Sequence, residues 1–272
     1  MGWRGHGIEL KSPEQIEQMR RAGVVVARTL EMLREIARPG MTTAELDAAA
    51  ETHIRQLGAT PSFLGYHGFT GTICVSVNDQ VVHGVPGSRI LAEGDVVSID
   101  CGAILEGWHG DAAITVAMGE VSDDVDALMR TTEAALWAGI AAARLGGRVS
   151  DISHAVETYV RGQGSYGILE DYTGHGIGSA MHQPPDVPNV GRAGRGPKLV
   201  AGLVLAVEPM ITLGTDETDL LDDDWTVVTT DGSWAAHYEH TFTLMPEGAW
   251  VLTSLDGGKA DLEALGVPYG GR

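Results

Sequence analysis

A chain of 272 residues with 43% hydrophobic content and a mean hydropathy of zero has the make-up of a soluble globular protein that can bury a substantial core. Its net charge of −19 excludes a general affinity for nucleic acid, whose phosphates need a basic surface. No run of about 18 apolar residues occurs, so no membrane span is expected. The N-terminal stretch lacks the apolar core of a signal peptide, and His6 stands where myristoylation at Gly2 would want Ser or Thr. Two cysteines, Cys74 and Cys101, are too few for a disulfide framework and point to a reducing, cytoplasmic location.

Ser12-Pro13-Glu14-Gln15 predicts a helix start, with Ser12 as N-cap, Pro13 at the first helical position and Gln15 closing a capping box. Ile16, Met19, Gly23, Val26, Leu30 and Leu33 then recur at spacings of three and four, which is one helix face. Pro39-Gly40 ends it. Thr42 with Glu45 caps a second helix running to about Leu57, before Gly58. Strands are expected at 73–77, at 96–105 and from about His109 to Met118, with Leu105-Glu106-Gly107-Trp108 turning the last two into a hairpin. The order then repeats. A long helix from Ser122 to Arg144 is stopped by Gly146-Gly147, and Ser150 caps another to about Arg161. Strands follow at 203–212, 225–230 and 235–245, with Thr230-Asp231-Gly232 as the turn between the last two. Two helices then strands, twice, predicts one domain over 1–272 with two pseudo-symmetric halves, about 12–119 and about 120–250. The repetition is one of element order and not of residues.

Five residues able to ligate metal lie in or beside strongly apolar, strand-like runs. Asp100 ends VVSID, Asp111 opens DAAITVAM, His175 sits in TGHGIG, Glu208 interrupts LVLAVEPMI and Glu239 sits in AAHYEHTFTL. Burying an ionised carboxylate costs several kcal/mol unless something compensates it. Four acids cannot compensate one another, and none of these runs contains Lys or Arg. A cation taken from solution is the simplest remedy. Asp100 and Asp111, eleven residues apart across the hairpin, can face each other on adjacent strands. Carboxylates that close raise each other's pKa unless a cation lies between them. One His among four acids fits a dinuclear divalent centre of Co, Mn, Fe or Zn, and the carboxylate majority disfavours copper or a structural zinc. Taken singly, each has an ordinary reading as a turn Asp or a wet-face Glu. Five together make that the weaker explanation.

The stretches SFLGYHGFTGTICVSVNDQVVHGVP (62–86), GDVVSIDCGAILEGWHGDAA (94–113), TGHGIGSAMHQPPDVPN (173–189), AVEPMI (206–211) and HYEHTF (237–242) resemble, in order, the motifs of type I methionine aminopeptidases in their bacterial form without an N-terminal extension. The resemblance implies the α+β pita-bread fold, with helices packed on a curved, antiparallel-rich sheet. It implies that Asp111, His175, Glu208 and Glu239 hold one divalent ion, and that Asp100 holds a second with Asp111 and Glu239 as bridges. The implied reaction removes the N-terminal methionine from nascent proteins with a small second residue, by attack of a metal-bridging water or hydroxide. Glu208 is then the general base. His182 stabilises charge on the carbonyl oxygen, and His83 lies near the leaving nitrogen. The implied methionine pocket is Phe63, Tyr66, Phe69, Cys74, Met181 and Trp225. Met181 and Phe69 stand where the family has aromatic Phe and Tyr, and a flexible Met predicts a more adaptable pocket. His67 and His240 belong to the same motifs with weaker claims. His6, His53, His109, His154 and His237 read as structural.

The resemblance further implies N-termini of nascent polypeptides as partners and a monomer, with no membrane and no specific nucleic acid. The run TDETDLLDDD (215–224) has six acids and no basic residue directly before Trp225. It would repel ribosomal RNA, so only weak, salt-tolerant ribosome association is expected. Two rivals stand beside this reading. An Xaa-Pro aminopeptidase or dipeptidase shares fold and ligands, but such chains usually carry a large N-terminal domain, and the GYHG segment and Trp225 favour methionine. A non-catalytic pita-bread protein that binds partners through its cleft would be marked by lost ligands, and here all five are present.

Overall fold

The computed structural model describes residues 7–271, so Gly2 and His6 lie outside the described residues. Helix α1 (Pro13–Ile36) begins with the capping box expected of it: the Ser12 hydroxyl accepts from the Gln15 N–H at 3.3 Å, and the Gln15 side chain accepts from the Ser12 N–H at 2.8 Å. Helix α2 (Thr43–Gln56) repeats the device with Thr42 and Glu45, at 3.2 and 2.7 Å. Such a cap is worth about 1 kcal/mol. The predicted face of α1 is buried throughout.

Strands β1 (Thr60–Pro61), β2 (Ile73–Val77) and β3 (Gln80–Val82) precede the hairpin of β4 (Val96–Leu105) and β5 (Trp108–Ala117). Glu106 (φ 52°) and Gly107 (φ 83°) form its two-residue turn, both with the positive φ that a type I′ turn requires. Helices α3 (Asp123–Ala142) and α4 (Val149–Gln163) open the second half. Ser122 is the N-cap of α3, but its hydroxyl makes no capping bond. The start of α4 corrects the sequence reading. Arg148, not Ser150, is its N-cap, because Asp151 accepts from the Arg148 N–H at 2.8 Å while the Ser150 hydroxyl is bonded to the Arg195 backbone. After β6 (Gly167–Ile168) come β7 (Gly174–Gly176), β8 (Gln183–Val187), β9 (Val204–Val207), β10 (Met210–Thr212), β11 (Thr218–Leu220), β12 (Val227–Thr229), β13 (Ala235–His237), β14 (Glu239–Met245), β15 (Gly248–Val251) and α5 (Lys259–Ala264).

Nine strands form one sheet in the order β1-β4-β5-β14-β9-β7-β8, with β2 added beside β4 and β15 beside β14. The seam between the halves is the short antiparallel pairing of β5 with β14. Each half brings its own core. Val26, Leu30 and Leu33 of α1 pack with β2 and β4 in the first, and Leu136, Ile152 and Val156 of α3 and α4 pack with β9 and β14 in the second. Helix α1 approaches β5 closely because both sides are glycine where they cross: a Cβ on Gly110 would meet the Gly23 nitrogen at 2.7 Å.

Two strands expected to be continuous are broken. The 203–212 run divides at Glu208-Pro209 and the 235–245 run at Tyr238. Proline has no N–H to give a ladder. The breaks face each other, since β9 pairs with β14 in the large sheet whereas β10 pairs with β13 in a separate three-stranded one. Glu208 therefore sits on the corner where the chain changes sheets.

Candidate active site

Asp100, Asp111, Glu239 and His175 come from β4, β5, β14 and β7, and Glu208 follows the last residue of β9. In the order β4-β5-β14-β9-β7 these are five successive neighbours in the large sheet, one candidate ligand to each. Asp100 and Glu239 both pair with Ala113, from opposite sides, so a methyl group is all that separates the two carboxylates along that row. Asp111 lies two residues before Ala113 on β5, opposite Gly102. The Asp pair is thus diagonal on one face rather than directly opposed. The two-residue turn sets this register, aligning Leu105 with Trp108 and hence Asp100 with Ala113.

Asp111 and Glu239 are 3% and 2% exposed. Oxygens of Asp100, Asp111 and Glu239 are buried with no hydrogen-bond partner. Ligand atoms of Asp111, His175 and Glu239 lie within 4.8 Å of one another, as do those of Glu208, His237 and Glu239. The His175 Nε2 is 3.5 Å from Glu208 Oε1. Its Nδ1 meets the Gly176 carbonyl at 2.9 Å, and a carbonyl can only accept, so Nδ1 carries the proton and Nε2 offers its lone pair inward.

Burial raises the pKa of all four acids. Asp100 is pushed up to about 7. Burial, then Asp100 and Glu208, lift Asp111; burial and Asp100 lift Glu208; burial, then Asp111, Glu208 and Asp100, lift Glu239. Burial holds His175 down to about 3. No Lys or Arg lines the cavity. Unpaired buried oxygens, mutual repulsion and one neutral imidazole make a donor set suited to hard or borderline divalent cations.

Beside this cluster lies the apolar pocket, a cavity of about 110 Å³ that the candidate ligands share with Phe63, Tyr66, Phe69, Cys74, His83, Met181, His182 and Trp225. All thirteen residues singled out in the sequence meet there. Phe63, Phe69, Cys74 and Met181 form a separate buried cluster flanked by Tyr66, Val85 and Trp225. The Phe69 and Trp225 rings are edge to face, 5.0 Å apart. His182 projects at the exposed mouth, its Nδ1 2.8 Å from the Tyr66 hydroxyl and its ring 4.3 Å from that of His175. His83 adopts φ 59°, a conformation rare for a non-glycine residue, and its ring lies between those of Tyr172 and Trp225.

Two neighbours of Glu208 escaped the sequence reading. His237, read as structural, is 2% exposed with an unpartnered Nε2 3.9 Å from Glu208 Oε2. Its place two residues before Glu239 was the available signal. Asn189 donates to the Glu208 carbonyl at 3.1 Å and fixes the corner. Ahead of the fold, nothing distinguished it from a turn residue in PPDVPN. His109 keeps its structural reading, bonded to the Ser62 hydroxyl at 3.0 Å.

The model of metallopeptidase family M24 matches residues 17–245. A methionine aminopeptidase 1 from Mycobacterium tuberculosis is 53% identical over 252 residues, which is 90% of this chain and 95% of that protein. The chain belongs to the methionine aminopeptidases of family M24. Among solved structures, the methionine aminopeptidase of Thermotoga maritima superposes with a TM-score of 0.89 at 39% identity, covering 91% of this chain and 99% of that one. A prolidase from Pyrococcus furiosus gives 0.71 at 20% identity and only 65% of its length is covered, a likeness of fold alone. The family's fold is the pita-bread arrangement of mixed helices around a curved sheet, and its divalent-metal dependence matches the donor set described above.

Proposed function

We propose that this chain, acting as one catalytic domain, removes the N-terminal methionine from peptides and nascent proteins whose second residue is small. The observation that carries this is a set of four carboxylates, Asp111 and Glu239 buried and Asp100 and Glu208 half-buried, and one imidazole, placed on or directly beyond five adjacent strands and opening into an apolar pocket of methionine-compatible lining. In this reading Asp111, His175, Glu208 and Glu239 would hold one divalent ion, and Asp100, together with Asp111 and Glu239, would hold a second. When bound, the ions supply Lewis acidity toward the scissile carbonyl, a water of lowered pKa and an anchor for the free α-amine.

The residues of the chain do the rest. The pocket of Phe63, Phe69, Cys74, Met181 and Trp225 takes the methionine side chain and excludes water from the scissile bond. Glu208, at its corner, takes a proton from the attacking water and returns it to the leaving amine. His182, oriented by Tyr66, donates toward the carbonyl oxygen where negative charge grows. His83, held near neutrality by burial, which draws its pKa down to about 4, faces the amide nitrogen.

The deciding assay is a peptide panel on the metal-loaded protein. Met-Gly-Met-Met should be cleaved, and a bulky second residue should lower kcat/KM by at least about tenfold. An Xaa-Pro peptide cleaved in preference to it would overturn the assignment in favour of the Xaa-Pro enzymes. In the same panel norleucine and Leu at the first position should be cleaved more readily, relative to Met, than by the Met181→Phe variant. Identical profiles would remove the idea of an adaptable pocket.

No described helix is long and apolar enough to cross a membrane. Cytoplasmic action on nascent chains, as a monomer, is part of this proposal. The six acids of 215–224 are all exposed, and Asp223 accepts from the backbone N–H groups of Trp225 and Thr226 at 2.9 and 2.7 Å. The acidic loop is thereby fastened to the pocket wall. Ribosome association should be weak and insensitive to salt; sedimentation with ribosomes at low and moderate salt checks this, and tight binding lost on adding salt would refute it.

A further inference from the structure

Lys11 is among the most buried charged residues of the molecule, yet it lies outside the catalytic cavity. Its side chain is 1% exposed. The ammonium donates to the Glu9 carbonyl at 3.0 Å and to Gln183 Oε1 at 3.2 Å, and stands 3.9 Å from the Glu9 carboxylate. That carboxylate in turn accepts from the Ser179 hydroxyl at 3.0 Å and from the Gln183 amide. Burial brings the Lys11 pKa down to about 8, with Glu9 opposing the fall, so the group is charged at neutral pH.

The partners of this pair all belong to one segment. Ser179, on the connection from β7 to β8, and Gln183, the first residue of β8, bracket Met181 and His182. Gly178 lies on the same connection, and a Cβ there would come within 2.7 Å of the Lys11 Nζ. The backbone is tied as well: the Lys11 N–H donates to Gly202 at 2.7 Å, and the His109 N–H donates to Gly178 at 3.0 Å. On the opposite side the loop is held through the Tyr66 hydroxyl on His182. A charged, directional grip thus holds the segment from Gly178 to Gln183, which carries two residues of the pocket, Met181 and His182.

We propose that Lys11 and Glu9 are positioning residues, clamping the Gly178–Gln183 loop so that His182 meets the scissile carbonyl at the right place. The inference rests on the reading of His182 given above. Neither residue lines the catalytic cavity. Misplacing a stabilising donor by about 1 Å costs up to about a hundredfold in rate, whereas ground-state binding of the methionine side chain is set mainly by Phe63, Phe69, Cys74 and Trp225, which lie off this loop.

The test uses metal-loaded full-length protein and the Met-Gly-Met-Met peptide. Lys11→Met, which keeps the stem and removes the ammonium, should lower kcat about tenfold with KM changed less than about twofold. Glu9→Gln, milder because Glu9 is partly exposed, should move kcat in the same direction and carries the test if Lys11→Met does not fold. Adding either change to His182→Ala should produce no further loss of kcat. Thr42→Ala, which weakens the remote cap of α2, is the control for lost stability and should leave kcat unaltered. The clamp is overturned if kcat is unchanged in both clamp variants, or if their losses multiply with that of His182→Ala. If His182→Ala itself leaves kcat intact, the role given to His182 falls and the clamp with it.

Discussion

Glu208→Gln should lower kcat by about 10²- to 10⁴-fold, the range in which general acid–base catalysis operates, with KM for Met-Gly-Met-Met little altered. Gln preserves the volume and leaves the backbone carbonyl that Asn189 holds at 3.1 Å. What it removes is a carboxylate oxygen 3.5 Å from the His175 Nε2 at the corner between two sheets. The metal-free variant should be no less stable than the parent. Three acids remain in the cluster, and the Asp100 charge that raises the Glu208 pKa loses one of its opponents. Stopped-flow or steady-state rates, paired with metal analysis of the same sample, separate the two tasks assigned to Glu208. If activity returns fully on raising the metal concentration, Glu208 is a ligand only and the proton carrier is elsewhere.

The helix starts were legible in the sequence because capping boxes are local: Ser12 and Gln15, or Thr42 and Glu45, need no tertiary partner to declare themselves. The centre was legible for the opposite reason. A carboxylate inside LVLAVEPMI contradicts its surroundings, and only a distant partner resolves the contradiction. Register was harder. Spacing alone put Asp100 and Asp111 face to face, but the positive φ of both turn residues fixes a two-residue hairpin and sets them diagonally. The break at Glu208-Pro209 needed knowledge of the second sheet, since the run reads as one apolar strand until β13 claims its far end. Lys11 was invisible. In GIELKSPEQ it looks like any solvated lysine, and the Gln183 that buries it is 172 residues away.

Metal loading should stabilise the protein more as pH rises from 5 to 8. The four acids have folded-state pKa values above the roughly 4 of an unfolded chain, Asp100 at about 7. Between those limits the folded metal-free protein binds more protons than the unfolded chain. The stability linked to these groups is therefore fully present below about pH 4 and is lost as pH rises through the folded values. The buried imidazoles act oppositely. His175 and His237 are held down to about 3 and His83 to about 4, all chiefly by burial, so the stability they contribute is present above about 6.5 and lost as pH falls. Above pH 6.5 the imidazoles no longer contribute a slope, and Lys11, drawn down to about 8, opposes the four acids only as pH nears 8, so the Tm of chelator-treated protein should decline between about 6.5 and 7.5. A divalent ion at a thousand times its Kd adds about 4 kcal/mol, or roughly 10 °C in Tm for a chain of this size, and it reverses the trend because binding must expel those same protons. Asp100→Asn should flatten the metal-free slope between about pH 6.5 and 7.5 while weakening the metal response. A metal-free Tm that climbs steadily to about pH 7.5, with the same profile in Asp100→Asn, would show that the clustered acids are not protonated in the empty site.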